Sequence, residues 1–186
     1  MSSEKILSLS AVIISIFALV VSIWQGIDNR DFNKLSVKPY LQVNPKLTGG
    51  VESGLYLENA GTGTAFINTI SLSLKGKTFD LIKDNTSTFF ESIQVKPGCF
   101  KESWPRKGAA IQSGKEFPLL QVTKADIAAC NLEIVKFLTE SDVVMNIEYT
   151  TPYGEPIKFS ETISLTEREL GVYFELINSL KNITSQ

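Results

Sequence analysis

One short stretch concentrates the side chains that could do recognition chemistry. Lys96-Pro97-Gly98-Cys99-Phe100-Lys101-Glu102-Ser103-Trp104-Pro105-Arg106-Lys107 holds four cations, one anion and two aromatics. Cations beside aromatic faces grip phosphate-bearing ligands, single-stranded nucleic acid or a lipid surface. Lys96, Phe100, Lys101, Trp104, Arg106 and Lys107 are therefore the candidate contact residues. The competing reading is a covering loop, in which Phe100 and Trp104 pack on the domain while the cations stay in water.

Other arrangements carry less. The chain has no histidine, which removes imidazole acid/base work, Ser-His-Asp and Cys-His nucleophiles and histidine metal ligation. Gly61-Thr62-Gly63 lacks the following helix that a phosphate cradle needs. Gly76-Lys77-Thr78 imitates the end of a Walker motif, but Ser71 stands where that motif needs glycine. Asp142, Glu148 and Glu155 are spaced as solvated charges rather than as an acid/base pair. Cys99 and Cys130 could bridge in an oxidising compartment and should be reduced in the cytoplasm, where two independent thiols are expected. No catalytic residue, cofactor or metal is expected, and no sequence-specific nucleic acid partner, since the net charge is only −2.

The chain that must position these groups divides early. Residues 1–5 are a polar tail. Residues 6–27, Ile6 to Ile27, contain no charge between Lys5 and Asp28. As a helix that run spans about 33 Å, enough for the hydrocarbon core of a bilayer. A cleaved signal peptide is the rival, but the run is long and lacks a small–x–small cleavage pair. Trp24 suits an interfacial position. A lipid bilayer is therefore the first expected partner. Ser8, Ala11, Ser15, Ala18 and Ser22 recur every three and four residues, a seam of small side chains for a homo-oligomer or a partner membrane helix. Lys5 and the amine precede the span, and Arg30, Lys34 and Lys38 follow it, which favours a cytoplasmic domain on a bacterial inner membrane. Residues 28–115 carry twelve cations against eight anions and residues 116–186 carry five against eleven, which suits the same orientation.

Residues 28–35 read as a short linker or a fraying continuation of the helix, and 36–165 as a mainly-β domain. Alternation predicts strands at 40–44, 54–59, 65–75, 78–82, 109–111, 117–122, 143–149 and 157–165, with a bulge near Ile67 and a turn at Gly76-Lys77. Asp84 to Ile93 is ambiguous, and 95–107 reads as irregular. A helix is expected over 123–140, capped through Thr123 and Asp126, and a second from the capping box Thr166/Glu169, within a C-terminal helix and tail at 166–186.

Two passages resemble bacterial immunoglobulin-like modules. They are Leu55-Tyr56-Leu57-Glu58-Asn59-Ala60-Gly61-Thr62-Gly63-Thr64-Ala65, and Ile147-Glu148-Tyr149 through Tyr153-Gly154 to the closing strand. Asn33-Lys34-Leu35-Ser36-Val37-Lys38-Pro39, directly after a single span, resembles a group of uncharacterised bacterial membrane-anchored proteins. The resemblance implies an N-terminal transmembrane helix followed by an antiparallel immunoglobulin-like β-sandwich with one or two added helices. It implies no catalytic residue. The expected function is a non-catalytic binding module with an unidentified protein partner. A ligand-sensing membrane effector that alters permeability, in stress or phage defence, is the alternative.

Overall fold

A computed structural model describes residues 3–83, 86–124, 126–140 and 142–165, with short pieces at 170–171 and 174–175. The helix expected within 166–186 lies mostly outside the described residues. Residues 1–38 and 39–186 form two separate compact units.

The first unit is one helix, α1, Ser3–Ser36. From Ser8 onward it is long and apolar enough to cross a membrane, with mean hydropathy 2.1 over its most apolar window and none of that window buried in protein. Residues 28–35 continue this helix, the second of the two readings for that stretch, and are not a separate linker. Asp28 to Ser36 contains no proline or glycine, so nothing stops the backbone until Pro39, which disfavours helical geometry in the residue before it.

Among the described residues the second unit holds nine strands in two antiparallel sheets sharing one core. The first sheet is ordered β1-β2-β7-β5, formed by Leu41–Lys46, Gly54–Asn59, Glu116–Val122 and Phe100–Glu102. The second is ordered β4-β3-β8-β9, formed by Lys77–Asp80, Ala65–Leu74, Val143–Thr150 and Pro156–Ile163, and β6, Ala110–Ile111, pairs with β3. Alternation along β8 buries Val143, Met145, Ile147 and Tyr149 against Leu41, Leu55, Leu57 and Leu120 of the other sheet. This period-2 pattern, apolar inward and polar outward, is what makes a sheet with one wet face.

Two bulges adjust the register. Asn68 is the extra residue between the pairs Ile67–Tyr149 and Thr69–Glu148, where the imperfect alternation predicts it. Leu119 is extra between the β2–β7 pairs Leu55–Leu120 and Tyr56–Pro118, so Leu119 and Leu120 are both fully buried. Gly54 is required beside it, because a Cβ there would lie 2.0 Å from the Leu120 carbonyl oxygen. The β3–β4 turn is Lys75-Gly76, one residue earlier than expected. Both residues have positive φ, 48° and 82°, as the tight hairpin turn with the correct twist demands.

Helices close one flank of the core. The ambiguous segment contains α2, Thr86–Ser92, despite its poor helix formers, because Phe89 and Phe90 are fully buried. Phe89 meets Phe79, Phe90 and Phe137 edge-on, with ring centroids 5.3, 5.4 and 6.2 Å away. The chain leaves α2 through Gln94 in the left-handed region, with the Val95 amide donating to the Phe90 carbonyl, a Schellman-type stop. The helix α3, Ile127–Glu140, starts later than expected. Its cap is Asp126, whose carboxylate accepts the Ala129 amide, while the Thr123 hydroxyl donates to the Gly98 carbonyl instead.

The expectation of two independent thiols is corrected. Cys99 and Cys130 form a disulfide, with their Cα atoms 5.0 Å apart and a sequence separation of 31. The bond joins α3 to the 3-10 turn Pro97–Cys99 that leads into β5. Folding creates that proximity, and neither residue's local sequence shows it.

Candidate functional site

The loop after α2 is held from inside. Phe100 is buried and stacks on Phe90, with ring centroids 5.5 Å apart. Trp104 is half-buried, packs on the core, and donates from Nε1 to the Glu102 carboxylate at 2.9 Å. The Thr86 hydroxyl donates to the same carboxylate oxygen, so Glu102 ties the start of α2 to the loop. These contacts leave Phe100 only 7% exposed and commit the Trp104 indole N–H. The four cations of the loop, Lys96, Lys101, Arg106 and Lys107, are exposed.

The cations divide by place. Arg106 and Lys107 are exposed in a turn closed by Gly108 at φ 82°. That turn is pinned to β3 by the Gly108 amide donating to the Ile67 carbonyl and the Ile67 amide donating to the Ala109 carbonyl, at 2.7 and 2.9 Å. Lys96 is exposed, and its backbone amide donates to Glu133 of α3. Lys101 lies on β5, opposite Gln121 of β7.

Lys101 borders an open cleft of ≈ 600 Å³. Val51, Phe100 and Val122 supply apolar lining, Lys101 and Lys124 supply two cations, and Glu52 supplies one carboxylate. Of the six loop residues singled out from sequence, the structure brings only Phe100 and Lys101 to this cleft. Val51, Gln121 and Lys124 are the residues that sequence reading missed. Gln121 and Lys124 arrive through the β5–β7 pairing and Val51 through the β2–β7 pairing of Gly54 with Gln121, and only the alternation of β7 hints that Gln121 faces outward.

The outer sheet faces are polar and self-satisfied. On the first sheet, Glu58 accepts from the Gln42 and Asn44 amides at 2.9 and 2.6 Å. Lys46 pairs with Glu116 at 2.6 Å and sits 4.6 Å from the Tyr56 ring centroid. The hydrogen bond that Lys46 donates to the Glu116 carboxylate holds its ammonium above the usual lysine range, with burial opposing it. On the second sheet, Thr78, Ser73, Asn146 and Ser160 form one hydrogen-bonded ladder across β4, β3, β8 and β9, with separations of 3.0, 3.0 and 2.8 Å.

The remaining sequence candidates occupy structural places. Gly61-Thr62-Gly63 is a turn entering β3, and Gly76-Lys77-Thr78 belongs to the β3–β4 hairpin. Glu148 pairs across strands with Lys158 at 2.9 Å, and Glu155 lies in the β8–β9 connection, its amide donating to the Thr151 hydroxyl. Ser8, Ala11, Ser15, Ala18 and Ser22 are all exposed along α1. The Ser15 and Ser22 hydroxyls donate to the carbonyls of Ala11 and Ala18, each at 2.8 Å. They are thus satisfied within their own helix, as lipid surroundings require.

Comparison with protein-family models, curated proteins and solved structures returns no match.

Proposed function

We propose that this chain is a membrane-anchored, non-catalytic binding module whose contact site is the cleft between Lys101 and Lys124. Its occupant in this reading is an acidic, extended segment of a protein partner. The observation that carries it is the placement of two lysines on one apolar-lined cleft beside β5, an edge strand. The buried Phe100 side chain holds that strand in place. Charge matching at such a rim sets partner choice and encounter rate more than it sets affinity. The half-buried Trp104 and the pinned turn at Arg106-Lys107 give this region a fixed shape, so little ordering is lost on binding.

The domain is read as immunoglobulin-like. Lettered in chain order, β1-β2-β7-β5 becomes A-B-E-D and β4-β3-β8-β9 becomes C′-C-F-G, the strand order of that architecture. In this reading α2, β6 and α3 are additions between C′ and F. The anchor holds the module at a bacterial inner membrane. Its small-residue seam supports close helix approach through shape, since the Ser15 and Ser22 hydroxyls already have partners. The flanking cations favour a cytoplasmic domain by a narrow margin, and the Cys99–Cys130 bridge weighs against that side.

The test uses the full chain in lipid nanodiscs and a fluorescent polyglutamate peptide. Binding should weaken about tenfold in the Lys101→Glu/Lys124→Glu variant and fade as salt approaches about 0.5 M. Equal binding by the charge-reversed protein, with its fold intact by circular dichroism, would remove the cleft from the account.

A further inference from the structure

The disulfide has a consequence for where the domain lives. Both cysteines of the chain are in it, and both are buried, Cys99 at 6% and Cys130 at 3% exposure. The bonded pair lies within the core cluster that includes Phe89, Phe90 and Phe137. The surroundings hold the two segments together independently of the bond. The Thr123 amide donates to the Cys99 carbonyl at 2.9 Å. Glu133 of α3 accepts the Lys96 amide, and Lys136 of α3 donates to the Gln94 carbonyl at 2.9 Å. Cys99 and Cys130 are thus a pair that folding presents for oxidation, in a chain with a helix long and apolar enough to span a bilayer.

Such pairs persist as disulfides on the non-cytosolic side of a membrane, because cytosolic thiol reductants keep protein thiols reduced. The opposing argument is the flank count, Arg30, Lys34 and Lys38 against Lys5 and the amine, a margin of one charge. That bias is read over short flanking loops, and large domains translocate largely regardless of charge. The segment after the anchor is a whole folded unit, residues 39–186. A covalent bond in the core outweighs a margin of one.

We propose that the β domain lies on the non-cytosolic side of its membrane, and that the chain is a substrate of a disulfide-carrying thiol oxidoreductase. The thiolate of one cysteine attacks a sulfur of the oxidant's disulfide and forms a mixed disulfide. The second cysteine then displaces the oxidant's sulfur. Two chain thiols become one disulfide, and the oxidant's disulfide becomes two thiols that keep both protons. The mixed disulfide forms while α3 is still undocked, because both sulfurs are covered once it has docked, and the docking contacts then bring the second cysteine to it. This inference stands on the anchor and the bridge alone and does not depend on what the Lys101–Lys124 cleft binds.

The test expresses the full chain in a bacterial host with its periplasmic thiol oxidase intact or deleted. Cells are quenched in acid, and free thiols are then tagged with a mass-shifting maleimide. Spheroplasts are treated in parallel with external protease. The expected result is no tagged thiol in the intact host, two tagged thiols in the deletion host, and loss of the domain to external protease. A Cys99→Ser/Cys130→Ser variant should show the same external digestion, which separates topology from folding. Two tagged thiols in the intact host, or a domain shielded from external protease until the membrane is lysed, would overturn the proposal.

Discussion

Cys99 and Cys130 are joined across a sequence separation of 31, and the bond clamps α3 to the entrance of β5. The enclosed segment contains β5, β6, β7 and the loop with Trp104, Arg106 and Lys107. The strand that carries Lys101 is therefore covalently braced one residue from its first position. In the chain-entropy view, closing a loop of this length stabilises the fold by about 3–4 kcal/mol. Replacing both cysteines with alanine should lower the urea midpoint by a corresponding amount, with α3 the first element to lose hydrogen-exchange protection. An unchanged midpoint would mean that the aromatic cluster alone holds α3 in place.

Asn59 should be among the least replaceable polar residues. It is fully buried, and its side chain uses its whole hydrogen-bonding capacity. Nδ2 donates to the carbonyls of Gly63 and Ile111 at 2.7 and 2.9 Å, and Oδ1 accepts the amides of Tyr40 and Gly61, each at 3.1 Å. One amide thus joins the start of β1, the β2–β3 turn and β6. Asn59→Ala leaves buried backbone groups unpaired and should cost about 2–4 kcal/mol, read as a fall in thermal midpoint. Asn59→Asp should be no better, since it sets a carboxylate oxygen against two carbonyls. A loss well under 1 kcal/mol would show that water replaces the amide without strain.

Stability should also fall on the alkaline side. Burial pushes the Tyr149 phenol above its usual value, opposed by a hydrogen bond with the Leu41 backbone and reinforced by Tyr40. A raised folded pKa means that the neutral phenol is the form the fold holds. Its contribution is complete below the unfolded value near 10 and is lost as pH rises through the folded one. Lys46, raised by Glu116, titrates out in the same direction. The urea midpoint should drop between about pH 9 and pH 11, and less steeply in Tyr149→Phe. Parallel curves for the two proteins would contradict the assignment to Tyr149.

Strand positions were legible where one face of a sheet is wet, as in β3 and β8, which alternate along their length, but the short β5 lies in the stretch 95–107 that reads as irregular. The β3 bulge was legible for the same reason, as a break in that alternation near Ile67. Less local features were not. The β3–β4 turn was misplaced by one residue because Lys75 accepts a positive φ that glycine usually takes. The pairing of α2 with Phe79, Phe100 and Phe137 depends on contacts far apart in sequence, as does the thiol bridge. The Lys96–Lys107 segment was recognised by composition, yet composition cannot say which aromatics are committed inward. Phe100 and Trp104 are, and Lys124 joins Lys101 only through strand pairing.

Contact at the cleft is the central claim, and site-specific crosslinking tests it most directly. A photoreactive amino acid replaces Lys101 in one version of the full chain and Ser160, on the opposite sheet, in another. Both are irradiated in native membranes. The account predicts a discrete protein adduct from position 101 that is suppressed by added polyglutamate, and none from position 160. Adducts of equal yield from both positions, or an adduct at 101 indifferent to polyglutamate, would contradict it.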